Sequence, residues 1–178
     1  MVIQAKPLGK PSRQAEGNAP AAQAERLTEA IELLFFAYRD FISDPDELLA
    51  EYGFGRAHHR VVHFVGRNPG ITVAELLNIL RITKQSLARV LKQLIERRFI
   101  VQETGRQDRR QRLLYLTDAG RELEERLAAP QRARVERALE KAGPGAEAAW
   151  RSTLLALVNE EDRPEVEHLI AKTPVPQD

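Results

Sequence analysis

Cysteine is missing from all 178 residues of this chain. Its absence excludes disulfides, thiolate zinc sites and thiol-based redox sensing. No run of uncharged apolar residues approaches the roughly 18 that a membrane-spanning helix needs, and the N-terminus lacks the charged-then-apolar pattern of a secretory signal. The apolar fraction of 43% is that of an ordinary folded domain. We therefore expect a cytoplasmic protein.

Motifs of catalysis are also missing. The chain has no Gly-rich phosphate loop, no Ser or Cys nucleophile motif and no pair of acids in a recognisable context. The sequence therefore predicts no catalytic residue, no cofactor and no metal. An enzyme with an unrecognised site stays as an alternative, which would require an activity that depends on the His58, His59 and His63 cluster.

Charged residues are distributed unevenly along the chain. The net charge of +1 hides a segment, residues 66–116, with eleven Lys and Arg against four Asp and Glu, a net +7. The remainder has sixteen basic and 22 acidic residues, a net −6. A local positive field in a nearly neutral protein indicates a surface for a polyanion. A basic face that is merely solvated is the alternative.

The N-terminal part predicts a tail followed by a helix. In residues 1–20 the apolar residues show no regular spacing, and we expect a disordered tail whose basic side chains add weak phosphate contacts. From about residue 21 to residue 42, apolar residues recur at helical steps, a pattern that buries against its own domain or against a partner helix. Ser43-Asp44-Pro45-Asp46 should break this helix, and residues 48–53 should form a short helical turn or a loop.

Hydroxyl-bearing residues mark the expected helix starts in the rest of the chain. After a helix over Arg56–Arg67, Thr72 should cap Val73–Leu80, with Glu75 completing a capping box. Thr83 should cap a helix to about residue 98. Thr117 should cap a long helix, Asp118–Ala142, which Pro130 should kink or interrupt. Residues 99–103 and 112–116 have strand character, and two helices, about 146–158 and 163–172, should precede a C-terminal tail.

The helix after Thr83 has side chains suited to DNA. The first residues of a helix in the major groove lie closest to the base edges, and here they are Lys84, Gln85 and Ser86, with Arg89 one turn later. Gln pairs well with adenine, and Arg or Lys pairs with guanine. A surface helix that happens to be basic is the alternative.

The turn between the two strands favours DNA more strongly. Arg109, Arg110 and Arg112 repel one another there, which makes little sense as a stabilising device. Planar guanidinium groups at a projecting tip suit a narrow, strongly negative minor groove. We interpret Asp108 as structural, because it can accept hydrogen bonds from the turn backbone or hold an Arg in position.

From Thr72 through Leu80-Arg81-Ile82-Thr83 to the Asp108-Arg109-Arg110 turn and the Leu-Thr-Asp-Ala-Gly run at 116–120, the chain resembles the MarR family of transcriptional regulators. The resemblance covers about residues 24–172. It implies a mainly α fold with a small β wing, in which a winged helix-turn-helix lobe (about 55–116) joins dimerisation helices (about 21–42 and 118–172). The MarR-type domain would span 21–172, and 173–178 would be a tail.

The same resemblance implies a homodimer that binds pseudo-palindromic operator DNA, often as a repressor. Many family members release DNA when a small molecule fills a cleft between the dimer region and the DNA lobe. The carried-over DNA contacts are Thr83, Lys84, Gln85, Ser86, Arg89, Arg106, Arg109, Arg110 and Arg112. The possible effector cleft is Phe35, Tyr38, Arg39, His59 and His63. One departure concerns the turn between the helices, which commonly holds a glycine and here holds Leu80-Arg81, where Arg81 could contact phosphate.

Two alternatives stay open at this point. His59 and His63 have a spacing that can chelate a metal, but two imidazoles without cysteine or an obvious carboxylate fall short of a site, so a cleft or packing role is favoured. The second functional hypothesis is a winged-helix module that binds protein or RNA as an adaptor and has no operator DNA.

Overall fold

The computed structural model describes residues 18–105 and 108–171. These residues form seven α-helices, three strands and one 3₁₀ turn: α1 (Asn18–Glu51), α2 (Arg56–Arg67), β1 (Ile71–Thr72), α3 (Val73–Leu80), α4 (Lys84–Glu96), β2 (Ile100–Thr104), β3 (Arg112–Leu116), α5 (Asp118–Ala142), α6 (Ala146–Leu157), the 3₁₀ turn (Glu160–Asp162) and α7 (Arg163–Ala171). The mainly α fold class with a small β-sheet is confirmed. Every helix in these residues is too short or too polar to cross a membrane.

Three threonines begin helices as the sequence predicts. The Thr72 hydroxyl accepts the backbone N–H of Glu75 at 3.2 Å, and the Glu75 carboxylate accepts the backbone N–H of Thr72 at 2.8 Å. Thr83 accepts the N–H of Ser86, and Thr117 accepts the N–H of Gly120. Each bond satisfies an amide that the first helical turn leaves without a partner. These caps fix the starts of α3, α4 and α5.

The three strands form one antiparallel sheet in the order β1-β3-β2. β2 and β3 make a hairpin in which Ile100 lies opposite Leu116 and Thr104 opposite Arg112. β1 has two residues and pairs Ile71 with Leu114. Strand β1 was not predicted, because two residues are too few for an alternating pattern. The short strand ties the middle of β3 to the start of α3.

The core lies among α2, α3, α4, the sheet and the first half of α5. The apolar face of α4 is buried there, together with Val61, Val62 and Val65 of α2, and Leu76 of α3 is fully buried. Burial of an aliphatic side chain contributes about 1.5–3 kcal/mol, so this cluster holds α3 and α4 in a fixed mutual position.

Helix α1 corrects the prediction of a break at residues 43–46. It continues through Pro45 to Glu51. Pro45 has no N–H, so the carbonyl oxygen of Phe41, four residues earlier, loses its usual helical donor. The side-chain amide of Gln131 on α5 donates to that oxygen at 3.2 Å. Because Pro45 is also fully buried, packing and this substitute hydrogen bond keep the helix continuous.

Of the kink or interruption predicted at Pro130, the interruption does not occur, since α5 runs from Asp118 to Ala142. Its start contains a close approach. A methyl group on Gly120 would overlap the carbonyl oxygen of Phe99, and that same oxygen accepts the N–H of Thr117 at 3.1 Å. The Leu-Thr-Asp-Ala-Gly run therefore combines a helix cap at Thr117 with Gly120, where only glycine allows α5 to contact the backbone of Phe99 just before β2.

The described residues divide into two units, with the boundary between Asp40 and Phe41. In the first unit, the described side chains from residue 20 to residue 40 are all exposed. The helical apolar series there is 46–57% exposed, and its members are Leu27, Ile31, Leu34 and Tyr38. In the second unit, α6 has no buried residue, and Trp150 and Leu157 are 48% and 64% exposed.

Candidate nucleic-acid interface

Helix α4 has one buried face and one basic face. Leu87, Val90, Leu91 and Leu94 pack into the core, so the helix cannot rotate without exposing them. Lys84, Gln85 and Arg89 lie on the exposed side. Within residues 18–105 and 108–171, these three side chains form no ion pair or hydrogen bond. The helix therefore presents polar groups that are free to bind a partner.

Two of the predicted contact residues already have structural roles. The Thr83 hydroxyl accepts the N–H of Ser86 and donates to the Ser86 hydroxyl at 2.9 Å. Thr83 therefore caps α4, and the Ser86 hydroxyl binds the capping hydroxyl, at the end of the helix where Lys84 and Gln85 begin the exposed face. A ligand at this end would meet the free side chains first.

The tip of the β2–β3 hairpin is built around Asp108. Its carboxylate accepts the backbone N–H of Arg110 at 2.9 Å, and its carbonyl oxygen accepts the N–H of Gln111 at 3.0 Å. At the other side of the tip, a Cβ on Gly105 would lie 2.7 Å from the Asp108 carbonyl oxygen. This turn requires a glycine and an Asx-type side chain for its shape.

The arginines at this tip differ in their contacts. Arg109 and Arg110 are exposed, and their guanidinium groups have no partner among the described residues. Arg112 donates instead to the Thr104 hydroxyl at 3.2 Å and to the Arg109 carbonyl oxygen at 3.0 Å. Arg112 therefore braces the hairpin. Arg106, the fourth predicted contact here, lies outside the described residues.

His58 connects α2 to α4, a role that the sequence analysis did not find. Its Nδ1 accepts the backbone N–H of Gly55 at 3.1 Å, so the proton is on Nε2, which donates to the Gln93 side-chain oxygen at 2.7 Å. The ring is buried and stacks on Phe54 with 4.4 Å between centroids. No spacing rule could have revealed this bond, because its partners are 35 residues apart.

The turn between α3 and α4 adopts the conformation that usually favours glycine. Arg81 has a φ of 49°, in the left-handed region. Its backbone N–H donates to Leu77 at 2.9 Å, and Arg60 donates to the carbonyl oxygen of Leu80 at 3.1 Å. The Arg81 guanidinium pairs with Asp162 of the 3₁₀ turn. The departure from glycine thus keeps the turn and adds a contact.

The five predicted cleft residues belong to both units. Phe35, Tyr38 and Arg39 lie on α1 in the first unit, and His59 and His63 lie on α2 in the second. Their joint role as a cleft stays a prediction.

Histidines 59 and 63 have carboxylates near them that the sequence did not reveal. Burial lowers the pKa of His59, and the positive charge of His63 lowers it further, whereas Asp46 and Glu124 act in the opposite direction. His63 Nδ1 lies 3.5 Å from a carboxylate oxygen of Glu124. Across the described parts of the chain, no three His, Asp or Glu side chains form a group that could hold a metal ion.

This arrangement of α3, a turn, α4 and a basic hairpin defines a winged helix-turn-helix. The sequence profile of the MarR family matches residues 52–111, which contain α3, the turn, α4 and β2. The HTH-type transcriptional regulator PetP of Rhodobacter capsulatus is 47% identical over 135 residues, which cover 76% of this chain and 81% of PetP. The chain therefore belongs to the MarR family of transcriptional regulators.

Solved structures have the same fold. Streptococcus pneumoniae FabT, in complex with DNA, superposes with a TM-score of 0.65 over 74% of this chain and 94% of FabT, at 19% identity. The transcriptional repressor CouR, bound to a 23-mer DNA duplex, has a TM-score of 0.57 and 26% identity over 71% of this chain and 89% of CouR. Likeness at this level of identity to FabT concerns the fold alone.

Proposed function

We propose that this protein is a sequence-specific, DNA-binding transcriptional regulator. The proposal is carried by two sets of basic side chains that have no partner among the described residues. Lys84 and Arg89 lie on α4, Arg109 and Arg110 lie at the tip of the hairpin, and both elements are attached to one core. In duplex DNA a major groove lies next to a minor groove, so a helix and a wing on one rigid lobe can enter adjacent grooves. Phosphate neutralisation by the +7 segment then supplies affinity.

The side chains divide into three roles in this proposal. Gln85, Lys84 and Arg89 meet base edges or phosphates in the major groove. Arg109 and Arg110 enter the minor groove, where guanidinium groups follow the negative potential, and Arg106 keeps the role of a DNA contact that the sequence predicts. Thr83, Ser86, Asp108 and Arg112 hold these groups in position, and their free polar atoms add backbone contacts.

We also propose that the protein acts as a homodimer on a pseudo-palindromic operator. The exposed apolar series on α1 and the exposed Trp150 and Leu157 of α6 support this, because apolar surface of this extent marks a protein interface. Two lobes in one dimer would contact two half-sites, and operator symmetry would follow from the two-fold axis. A non-enzymatic role in the cytoplasm, where such an operator lies, completes the proposal.

DNA binding can be tested at the hairpin tip. In gel-shift titrations with the region upstream of the protein's own gene, the double variant Arg109→Ala/Arg110→Ala should bind roughly 10- to 100-fold more weakly. The slope of log affinity against log salt should become shallower by about two, since two phosphate-region cations are lost.

A matched control removes two arginines that already pair with carboxylates. Arg56 pairs with Asp46, and Arg132 pairs with Glu125. Arg56→Ala/Arg132→Ala changes the net charge equally and should leave the affinity within about twofold. If both double variants bind alike, the wing assignment is wrong. A footprint without operator protection would instead favour the adaptor hypothesis.

A further inference from the structure

Arg81 differs from Lys84 and Arg89 of α4 because its guanidinium is already paired with a carboxylate. It lies two residues before Thr83, the cap of α4, and its Nη2 contacts Oδ1 of Asp162. The Arg81 side chain is 63% exposed, whereas the Asp162 side chain is 18% exposed. The carboxylate is thus held in place, and the cation that it binds is accessible from outside. An exposed arginine next to a recognition helix is placed to meet a DNA phosphate.

The segment that supplies Asp162 is acidic and makes a second contact with α3. Glu160, Glu161 and Asp162 form the 3₁₀ turn, and Glu165 on α7 accepts the side-chain N–H of Asn78 at 2.5 Å. One cation, Arg163, lies in the same stretch, but it donates to the carbonyl oxygens of Ala156 and Val158 at the end of α6. Arg163 therefore does not neutralise the carboxylates of its own segment, and Asp162 and Glu165 contact the α3 side.

Polar contacts, more than packing, hold this segment against α3. Helix α7 has no buried residue. A cavity of about 750 Å³ separates it from α3, with Glu165, His168 and Leu169 on one side and Ala74, Asn78 and Ile79 on the other. Exposed ion pairs and hydrogen bonds contribute at most about 1 kcal/mol each and weaken with salt. The docking is therefore reversible.

The turn itself does not depend on Asp162. The backbone N–H of Arg81 donates to Leu77, and Arg60 donates to the carbonyl oxygen of Leu80. Release of Asp162 would thus free the guanidinium of Arg81 and leave the backbone of the turn where it is.

We propose that Arg81 is a further phosphate contact and that Asp162 competes with DNA for it, so the Glu160–Asp162 turn and α7 act as an intramolecular brake on DNA binding. This inference rests on the proposed DNA-binding function. A phosphate and the Asp162 carboxylate present the same kind of anionic oxygen to one guanidinium. When the DNA contact forms, the acidic segment must leave, and its four carboxylates no longer stand beside the phosphate backbone.

The test compares Asp162→Asn with Glu161→Gln in the full-length chain. Both changes remove one negative charge from the same turn, but Glu161 has no side-chain partner among the described residues, whereas Asp162 holds Arg81. Binding of a short fluorescent duplex of scrambled sequence is measured by anisotropy between about 50 and 200 mM salt. We expect Asp162→Asn to bind about fivefold more tightly, with a salt slope steeper by about one, and Glu161→Gln to change the affinity by less than about twofold.

Arg81→Gln supplies the second arm of the cycle. In the Arg81→Gln background, Asp162→Asn should no longer increase affinity, because the cation that it releases is gone. Glu165→Gln, which loosens the other contact without touching Arg81, should also increase affinity. Equal affinities for Asp162→Asn and Glu161→Gln, or a gain that persists without Arg81, would overturn the proposal. Wild-type protein that binds no duplex at low salt would instead refute the DNA-binding function itself, so the two failures are distinguishable.

Discussion

The burial of apolar side chains differs between two parts of the chain, residues 20–40 and the residues from Phe41 onward, although both contain the same kinds of apolar residue. Leu34 in the first is 46% exposed, whereas Leu94 in the second is fully buried. Helical spacing is equally clear in both, so the pattern alone does not decide burial. The difference is that the second part supplies facing elements from its own chain. The proposed homodimer would give the first part the facing element that it lacks, whereas the core of the second part is already buried against its own chain.

The largest expected effect breaks the first part and spares the second. Ile31→Asp/Leu34→Asp places two charges in the exposed apolar series of α1. We expect monomers in light scattering and a loss of operator affinity of about a thousandfold, because two linked half-site contacts become one. The urea midpoint of the core should stay within the error of the wild-type value. Glu29→Ala, on the opposite side of the helix, is the control that should remain dimeric.

A substitution at Gly120 should do the reverse. A methyl group there would overlap the backbone oxygen of Phe99. A shift of Phe99 would strain its hydrogen bond with the Thr117 N–H, and a shift of Gly120 would strain the Thr117 cap. Gly120→Ala should lower the free energy of unfolding by about 3 kcal/mol, measured by urea denaturation. The neighbouring exposed Ala119→Ser should change it by less than about 0.5 kcal/mol. Equal stability of the two variants would show that the close approach is not constrained.

The hydrogen bond from Gln131 to the Phe41 carbonyl oxygen should contribute less. Gln131→Leu leaves that oxygen without a donor and should cost about 1 kcal/mol of unfolding free energy. Pro45→Ala restores an N–H four residues after Phe41, so Gln131→Leu should cost almost nothing in that background. A double-mutant cycle by urea denaturation measures this coupling. A coupling of zero would mean that packing around Pro45, rather than Gln131, keeps α1 continuous.

The smallest effect is a pH dependence of the second part. In the folded chain, burial lowers the pKa of His59 and the charge of His63 lowers it further, whereas Asp46 and Glu124 raise it by less. In the unfolded chain, His59 takes up a proton near the ordinary histidine pKa of 6.5. In the folded chain, His59 takes up this proton only at a lower pH. Stability should therefore fall as the pH drops through about 6.5. Urea unfolding at pH about 7.5 and about 5.5 should show a smaller fall for His59→Gln; an undiminished fall would assign the effect to other groups.

Local signals predicted most of the second part. Thr72, Thr83 and Thr117 act through bonds to residues three positions away, so a sequence window contains both partners. The error at Pro45 has the opposite cause, because its compensating donor, Gln131, is 90 residues from Phe41. A rule based on proline alone sees the missing N–H and cannot see the distant amide that replaces it.

The candidate interface was predictable for the same reason and to the same extent. Charge counting and helix periodicity placed Lys84, Gln85 and Arg89 on an exposed face, and the Arg-rich turn at a hairpin tip. They could not separate Arg110, which is free within the described residues, from Arg112, which braces the hairpin through Thr104. That distinction depends on register, because Arg112 lies directly opposite Thr104 in the sheet. The pairing of Arg81 with Asp162 was equally beyond any local pattern.

The two-residue strand β1 has a consequence for protein engineering. Its pairing of Ile71 with Leu114 and the bond from the Gly70 N–H to the Leu114 carbonyl oxygen at 2.9 Å anchor the middle of β3 next to the start of α3. The hairpin is thus fixed next to the helices at the middle of β3, not at its tip. A designer can lengthen, shorten or re-charge the tip as an interchangeable part while the frame that carries it stays the same.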